Sequence, residues 1–482
     1  MLASPAASWG DLAVVNIPLS EHGYVPPYPY RWPHKLTTWQ RLRLAQKNLI
    51  AVFEASSFQD DFARVKVLTK HLVICNSPET VRYAFNTKNH NFERKSPAMR
   101  HMLRPLIGDG LFISEGPLWR KRRRVVSPII HATRLSEFAP VMTETARRLR
   151  DQQWSALPEG ATIDVLAEMA QLTAEIICRT IFGRALGAEQ SREVVQGFSA
   201  FQKAVSSIDV LSLIGLPDWL PRPRRLAVYR SARRIHRVID KIIAGYRDRP
   251  NHEDVSVVGR LIEACDPHTG EQLDITAIRN EAVVIFMAGH ETTANTLAFA
   301  WYLLSQAPGV EARLHEEIET VLGRRSPTLV DVPRLPYARA VIQETLRLYP
   351  PIPILAREAM EDEMIAGRDV PRGSIVAVVP WLLHRNGKLW DKPDHFLPER
   401  FLDQSNAAPD RWRYVPFSVG PRVCAGMAFG LTEAILCVVT LAQRFALKLH
   451  DGHRMEPICR VSLRPGDTLP MTLHLRHHAA AP

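Results

Sequence analysis

Phe417-Ser-Val-Gly420-Pro-Arg422-Val-Cys424-Ala-Gly426 is the most informative stretch of this 482-residue chain. Its one cysteine stands between two glycines and follows an arginine. Gly420 allows a tight turn, and Gly426 lets the backbone come close to a flat macrocycle. Backbone N–H groups of such a loop can point at the Cys424 sulfur and keep it ionised, while Arg422 can donate to a carboxylate. The stretch therefore predicts a loop that holds an iron porphyrin through a cysteine thiolate.

A second motif, AGHETT at residues 288–293, lies in the longest helical stretch of the sequence. The helix is predicted over 274–306, with an aspartate as its N-cap. The Thr292 hydroxyl can reach back to the Ala288 carbonyl one turn earlier, which would open a local groove in the helix. With the neighbouring carboxylate of Glu291, this groove is suited to holding dioxygen and delivering protons.

Two further patterns pair charged or aromatic side chains along helices. Glu344 and Arg347 are three residues apart on a helix that two prolines terminate, and Arg400 follows in a Pro-Glu-Arg-Phe segment. Trp119 and Arg123 are four residues apart and therefore lie on the same face of a helix. Each pattern alone is common in proteins. Exposed helical pairs contribute only about 0.3–0.5 kcal/mol to stability, so one such pair on its own is explained by chance.

Together these motifs resemble the cytochrome P-450 family, in the family's order and over roughly residues 108–482. The resemblance implies a mainly α fold with a minor β-sheet portion, arranged as a triangular helical prism around a buried haem b. It also implies a monooxygenase that inserts one oxygen atom of O2 into an apolar organic substrate, either fatty-acid-like or terpenoid. The alternatives are a haem-thiolate peroxygenase or isomerase-type enzyme, or a non-enzymatic haem sensor.

The resemblance assigns a role to each motif. Glu291 and Thr292 take the acid and alcohol roles in catalysis, and Cys424 ligates the iron. A structural triad is formed by Glu344, Arg347 and Arg400. The other residues implied to contact the haem are Arg422, Trp119, Arg123, Arg357, Phe417 and Gly426. Those expected to line the substrate cavity are Phe112, Ile113, Ile285, Ala288 and Leu355.

The chain shows no Gly/Ser-rich linker, so one large domain is expected. Residues 1–60 are predicted to form an N-terminal extension and a first helix, and residues 61–482 a single haem-thiolate monooxygenase domain. Within that domain, the β-rich part is predicted at about 61–78 and 354–380. The helical part is predicted at about 119–350 and 427–447.

Composition excludes several classes of protein. The six cysteines show no CxxC spacing, so neither a zinc site nor a disulfide framework is indicated. No uncharged apolar run reaches the 18 or so residues of a membrane span, and we expect a cytoplasmic, soluble and monomeric protein. The net charge is +11, but no basic repeat interleaved with aromatics points to nucleic acid.

The basic run at 120–124 is interpreted either as a solvated face or as a docking surface for an acidic electron-transfer protein. Only 58 residues follow Cys424, too few for a fused flavin reductase. Electrons are therefore expected from a ferredoxin or flavodoxin with its reductase. The apolar segment 210–221 either packs on the core or forms a substrate lid with possible peripheral membrane contact.

Overall fold

The computed structural model describes residues 14–15, 23–67, 70–183, 193, 196–198, 201, 225–248, 255–402 and 410–476. Helices account for most of them. In chain order the α-helices are α1 Thr38–Lys47, α2 Pro78–Arg82, α3 Pro97–Ile107, α4 Gly116–Ile129, α5 Leu135–Arg148, α6 Val165–Phe182, α7 Arg225–Asp248, α8 Val257–Glu263, α9 Ile275–Gln306, α10 Pro308–Leu322, α11 Pro336–Leu348, α12 Pro380–Leu383 and α13 Met427–Ala442.

The strands are short and gather into small sheets. In chain order they are β1 Val14–Val15, β2 Tyr28–Pro29, β3 Phe62–Val67, β4 Lys70–Cys75, β5 Arg94–Lys95, β6 Thr162–Asp164, β7 Leu355–Glu358, β8 Glu363–Ile365, β9 Arg368–Val370, β10 Ile375–Val378, β11 Phe445–Leu449, β12 Ile458–Cys459, β13 Leu463–Arg464 and β14 Pro470–Leu475. The largest sheet has the order β3-β4-β10-β7-β5, in which β10 runs parallel to β4 with Ile375 opposite Leu72. A three-stranded sheet has the order β11-β14-β6.

The mainly α fold with a minor sheet is confirmed, but the helix predicted at 427–447 is too long. Helix α13 ends at Ala442, and Phe445–Leu449 is a strand in the range predicted to be helical to 447. Phe445 and Leu447 are buried while Lys448 is exposed, a two-residue alternation that a helix does not produce. The first helix ends at Lys47, because Asn48 caps a new 3₁₀ turn with its side chain.

Helix α9 runs through the centre of the molecule. The Asp274 carboxylate accepts a hydrogen bond from the Ala277 N–H at 2.7 Å and begins the helix where the sequence predicted. Most residues of α9 after the first turn are buried, and α6 packs closely along it. A Cβ added at Gly289 would lie 2.8 Å from Cδ1 of Ile177 in α6, so a glycine permits this close packing.

The apolar core has two parts. The larger cluster lies among α3, α5, α6, α9, α11 and α13, and the smaller one packs on the five-stranded sheet through Val73, Phe85, Val376 and Leu383. In the part of the chain that the structure describes, no helix is both long and apolar enough to cross a membrane.

Candidate active site

The cysteine loop lies between a 3₁₀ turn, Gly420–Arg422, and the start of α13. Gly420 has φ +72°, and a Cβ there would come within 2.0 Å of the Phe85 carbonyl oxygen, so only glycine fits. The Cys424 N–H donates to the Phe417 carbonyl at 2.8 Å and closes the loop. The backbone therefore fixes where the Cys424 sulfur lies.

The environment of Cys424 favours the neutral thiol unless a cation binds to it. The residue is accessible to solvent, yet neighbouring atoms desolvate its sulfur and raise the pKa of the thiol. A backbone hydrogen bond from Gly426, together with the charges of Arg123 and Lys95, lowers the pKa and partly offsets this effect. A metal ion bound to sulfur would displace the proton, because coordination stabilises the thiolate.

Arginines expected to contact the haem lie deep in the protein. Arg422 is buried, stacks over Trp119 at 4.5 Å from the ring centre and donates to the Ser114 carbonyl. Among the described residues, its Nε and Nη1 atoms have no hydrogen-bond partner. Arg357 is 1% exposed and donates to the carbonyl of Phe92, and burial lowers its pKa to about 9 with a further contribution from Arg422.

Lys95 is a site residue that the sequence analysis missed. It lies on β5 opposite Arg357 of β7, and burial lowers its pKa well below the usual value. The charges of Arg357 and Arg422 lower that pKa further, while Cys424 raises it. No pattern in the sequence marked Lys95, because its place beside Arg357 comes from the pairing of β5 with β7.

The donor set fits a haem. Burial lowers the pKa of four cations, Lys95, Arg123, Arg357 and Arg422. Arg357 and Arg422 also lower the pKa of Lys95, and Arg123 lowers that of Arg422. Lys95 and Arg123 also interact with the Cys424 thiol. Carboxylates of a bound ligand would pair with these cations and with the free N–H groups of Arg422. At Gly426 an added Cβ would meet no atom of the described residues within 4 Å, so this part of the chain leaves room for a flat group on that side.

The hydrogen bond predicted within α9 is present, and the groove that it would open stays a prediction. The Thr292 hydroxyl donates to the Ala288 carbonyl at 2.6 Å, and the Thr296 hydroxyl donates to the Thr292 carbonyl at 2.8 Å. Ala288 is exposed although most of the helix is buried. From α6, Thr173 donates to the His290 carbonyl at 3.0 Å. These side-chain bonds to helix carbonyls are typical of a locally opened helix.

The carboxylate of Glu291 is held from another element. The Ser462 hydroxyl, between β12 and β13, donates to Glu291 Oε1 at 2.6 Å. The Asn295 amide is within 3.4 Å of the same hydroxyl. Ser462 was not singled out in the sequence, because nothing local marks a serine as the partner of a residue 171 positions away.

The three residues of the predicted triad lie together. The Arg347 Nε and Nη2 atoms donate to both oxygens of Glu344 at 2.7 and 2.8 Å, and Arg400 Nε donates to Oε1 at 3.1 Å. Arg347 also donates to the carbonyls of His384 and Pro393. Glu344 and Arg347 are fully buried. The bonds of Arg347 to these carbonyls hold the segment that precedes the cysteine loop.

The residues expected to contact substrate occupy three elements. Phe112 and Ile113 lie in the loop between α3 and α4, Ile285 and Ala288 on α9, and Leu355 at the start of β7. Ile113 and Ile285 are buried in the larger core cluster, whereas Leu355 packs on the smaller one. Their contact with a substrate stays a prediction.

Arg122 of the basic run is buried, so a surface role is wrong for that residue, while docking by the rest of the run stays a prediction. Arg122 is 6% exposed, and Lys121 and Arg124 pair with Glu271 and Asp266. Carboxylates from other elements thus neutralise much of the run, which no local pattern indicated. Residues 205–224, which include the predicted lid, lie outside the described part of the chain.

Comparison with known proteins agrees with this site. The model of the cytochrome P450 family matches residues 26–468. The chain belongs to the cytochrome P450 family. Cyclooctatin synthase of Streptomyces melanosporofaciens is 33% identical over 375 residues, which cover 76% of this P450 and 79% of the relative. Cyclooctat-9-en-7-ol 5-monooxygenase of the same organism is 32% identical over 349 residues, with coverage of 72% and 75%.

Solved structures agree with the sequence relatives. The crystal structure of the cytochrome P450DA haem domain has a TM-score of 0.79 and 25% identity, and the match covers 94% of this chain and 98% of that one. This P450 is a monooxygenase of the family, and family membership implies a haem-thiolate cofactor.

Proposed function

We propose that this P450 binds haem b through the Cys424 thiolate and transfers one atom of O2 to an apolar terpenoid or fatty-acid-like substrate. The observation that carries the proposal is the convergence of one thiol, desolvated by its neighbours, with the cations of Lys95, Arg123, Arg357 and Arg422. Such a set would be costly to bury without an anionic cofactor to pair with it.

Each side chain would make a distinct contribution to cofactor binding. Cys424 would ligate the iron, and Lys95, Arg357 and Arg422 would pair with the propionates. Trp119 keeps the Arg422 guanidinium in place by stacking against it. When bound, the haem supplies the redox chemistry that activates dioxygen, which no side chain of this protein can supply.

Proton delivery would belong to Thr292 and Glu291. The Thr292 hydroxyl donates its own proton to the Ala288 carbonyl, so its oxygen lone pairs remain available to accept from a water in the groove. Glu291, the preceding residue, can hold a proton at its carboxylate while Ser462 fixes one of its oxygens. Together the two residues would order water in the groove, with Glu291 as the group that takes up and releases protons.

Substrate class and electron source are inferred from chemistry. The cavity residues Phe112, Ile113, Ile285, Ala288 and Leu355 are all apolar, which favours a hydrocarbon-rich molecule. One relative is named for oxidation of cyclooctat-9-en-7-ol, an unsaturated alcohol, and this supports the terpenoid alternative. The net charge of +11 favours an acidic electron donor, a ferredoxin or flavodoxin with its reductase.

The test uses purified, haem-loaded enzyme. A cyclic terpene alcohol and dodecanoic acid are screened for spin-state shifts, and turnover of the better ligand is followed with isotopically labelled O2. We expect label in the product and dependence on an added ferredoxin or flavodoxin. Product formed from hydrogen peroxide with no incorporation from O2 would replace the monooxygenase proposal with the peroxygenase alternative.

A further inference from the structure

Four residues form a charged cluster where the loop between α3 and α4 meets α9. Arg122 of α4 lies between Asp109 of the loop and Glu281 of α9, with Nη2 3.4 Å from Asp109 Oδ1 and Nε 3.5 Å from Glu281 Oε1. The Asn280 amide donates to Asp109 Oδ1 at 2.9 Å. We call these residues, Asp109, Arg122, Asn280 and Glu281, the Arg122 cluster.

Glu281 also binds the backbone of the loop directly. The Leu111 N–H donates to both carboxylate oxygens of Glu281, at 3.0 and 3.1 Å. Glu281 is fully buried, and the Arg122 side chain is only 7% exposed. A buried hydrogen bond to a charged acceptor is stronger than a typical neutral one. The cluster therefore ties the loop to α9 at a particular residue.

Two glycines bring the loop into close contact with α9. A Cβ at Gly108, whose φ is +54°, would lie 2.3 Å from Nδ2 of Asn280. A Cβ at Gly110 would lie 2.7 Å from Cγ2 of Val284, one turn further along the helix. The loop backbone therefore follows the surface of α9 and cannot shift without losing these contacts.

The held segment carries the side chains proposed to contact substrate. Phe112 and Ile113 follow Leu111 directly, and the Phe112 ring lies 4.7 Å from Nζ of Lys95. At the far end of the loop, the Ser114 carbonyl accepts from Arg422 of the cysteine loop. The loop is therefore held at one end by the Arg122 cluster and at the other by the cofactor site.

We infer that Asp109, Arg122 and Glu281 are positioning residues that set where Phe112 lies and thereby select the shape of the ligand beside it. The inference rests on the proposed function in one respect, that Phe112 borders the substrate cavity. Burying a charged pair is costly, and apolar side chains often replace such pairs without loss of stability. A buried cluster that also binds the loop backbone therefore fixes the position of the loop more than it stabilises the fold.

Electrostatics supports this role. Burial raises the pKa of Glu281 to about 7, the Leu111 hydrogen bonds and Arg122 lower it, and Asp109 raises it. The ionised carboxylate attracts Arg122 and accepts more strongly from Leu111 than the neutral acid does. Loss of the charge therefore weakens the Leu111 hydrogen bonds and the attraction to Arg122. The loop backbone can then move.

The test compares Glu281→Gln, Arg122→Met, the double variant and the exposed-site variant Asp109→Asn with wild type, all haem-loaded. Two probes are titrated by their spectral shifts: 4-phenylimidazole, which carries a phenyl group that would have to fit beside Phe112, and imidazole, which lacks that group. We expect the single variants at Glu281 and Arg122 to weaken 4-phenylimidazole at least about fivefold, with imidazole within about twofold of wild type. Amide exchange of residues 108–114 should quicken by roughly tenfold.

Asp331→Asn is the matched control, since Asp331 is a buried carboxylate paired with Arg325 and belongs to a different region. It should leave the ratio of the two affinities unchanged. An unchanged ratio of the two affinities and unchanged amide exchange in the variants at Glu281 and Arg122 would overturn the inference. If a single variant does not fold, Asp109→Asn and the double variant are measured in its place, and the same unchanged values would overturn the inference. Failure of the proposed function is recognised separately, because wild type itself would then lack the thiolate-type carbonyl spectrum or form no oxygenated product.

Discussion

The Ser462 hydroxyl donates to the Glu291 carboxylate at 2.6 Å, which joins the turn between β12 and β13 to the acid of the α9 motif. The acid is therefore oriented by a residue far away in sequence. We expect Glu291→Gln to slow product formation by about 10- to 100-fold, because an amide cannot relay a proton. Ser462→Ala should cause a smaller loss and a larger solvent isotope effect, measured by turnover in H2O and D2O. Equal rates in Glu291→Gln and wild type would exclude Glu291 from proton delivery.

Replacement of Cys424 by alanine should abolish the red-shifted Soret band of the ferrous carbonyl complex, because no other residue of the loop is a soft anionic ligand. The measurement is the reduced, carbon-monoxide-bound spectrum. Cys265→Ala is the matched control, since Cys265 is exposed and lies in a distant turn. A band that persists in Cys424→Ala would assign the iron to another ligand.

Thr292→Ala should leave haem binding intact and divert electrons to hydrogen peroxide, with roughly tenfold less product per electron consumed. The reason is that the hydroxyl on the groove would no longer order water. Thr345→Ala is a suitable control, because the Thr345 hydroxyl makes the same bond to the carbonyl four residues earlier, at 2.8 Å, in another helix. Coupling that stays at the wild-type level in Thr292→Ala would argue against this role.

Lys95→Met should speed haem loss by about tenfold, because removal of one cation weakens the pairing with the propionates. The rate is measured by transfer of haem to apomyoglobin. Lys121→Met removes a cation that pairs with Glu271 at the surface and should leave the rate unchanged. Haem loss that is equal in Lys95→Met and wild type would place the propionates elsewhere.

The stability of the fold should decrease as pH rises above neutrality. Burial raises the pKa of Glu433 from 4.5 to about 8, so the folded chain binds that proton more tightly than the unfolded chain does. The linked stability is complete below about pH 4.5 and is lost as pH rises through about 8. His290, whose pKa is lowered to about 4, acts in the opposite sense only below its ordinary value of 6.5.

Urea unfolding measured between about pH 6.5 and pH 8 separates the effect of the Glu433 carboxyl group from that of His290. In Glu433→Gln the fall in the free energy of unfolding should be smaller, by up to about 1.4 kcal/mol per pH unit. Identical slopes in the variant and wild type would mean that Glu433 titrates normally in the folded protein.

The linear sequence was sufficient to predict the local geometry of two motifs of this P450. Gly420, Arg422 and Cys424 lie in one short loop, and Thr292 bonds to a carbonyl of its own helix, so local backbone geometry determines both features. The N-cap of α9 at Asp274 is likewise local. Periodicity also indicated the mainly α fold, because the 3.6-residue and two-residue repeats are properties of neighbouring residues.

Tertiary structure alone decided which distant groups meet at the site. Lys95 lies beside Arg357, another cation expected to bind the haem, because β5 pairs with β7. Ser462 contacts Glu291 because a C-terminal turn folds back onto α9. Arg122 of the basic run lost its possible surface role in the same way, since it is buried between two carboxylates. Charge pairing acts through space across hundreds of residues, and burial changes its strength, so neither effect can be derived from the order of residues along the chain.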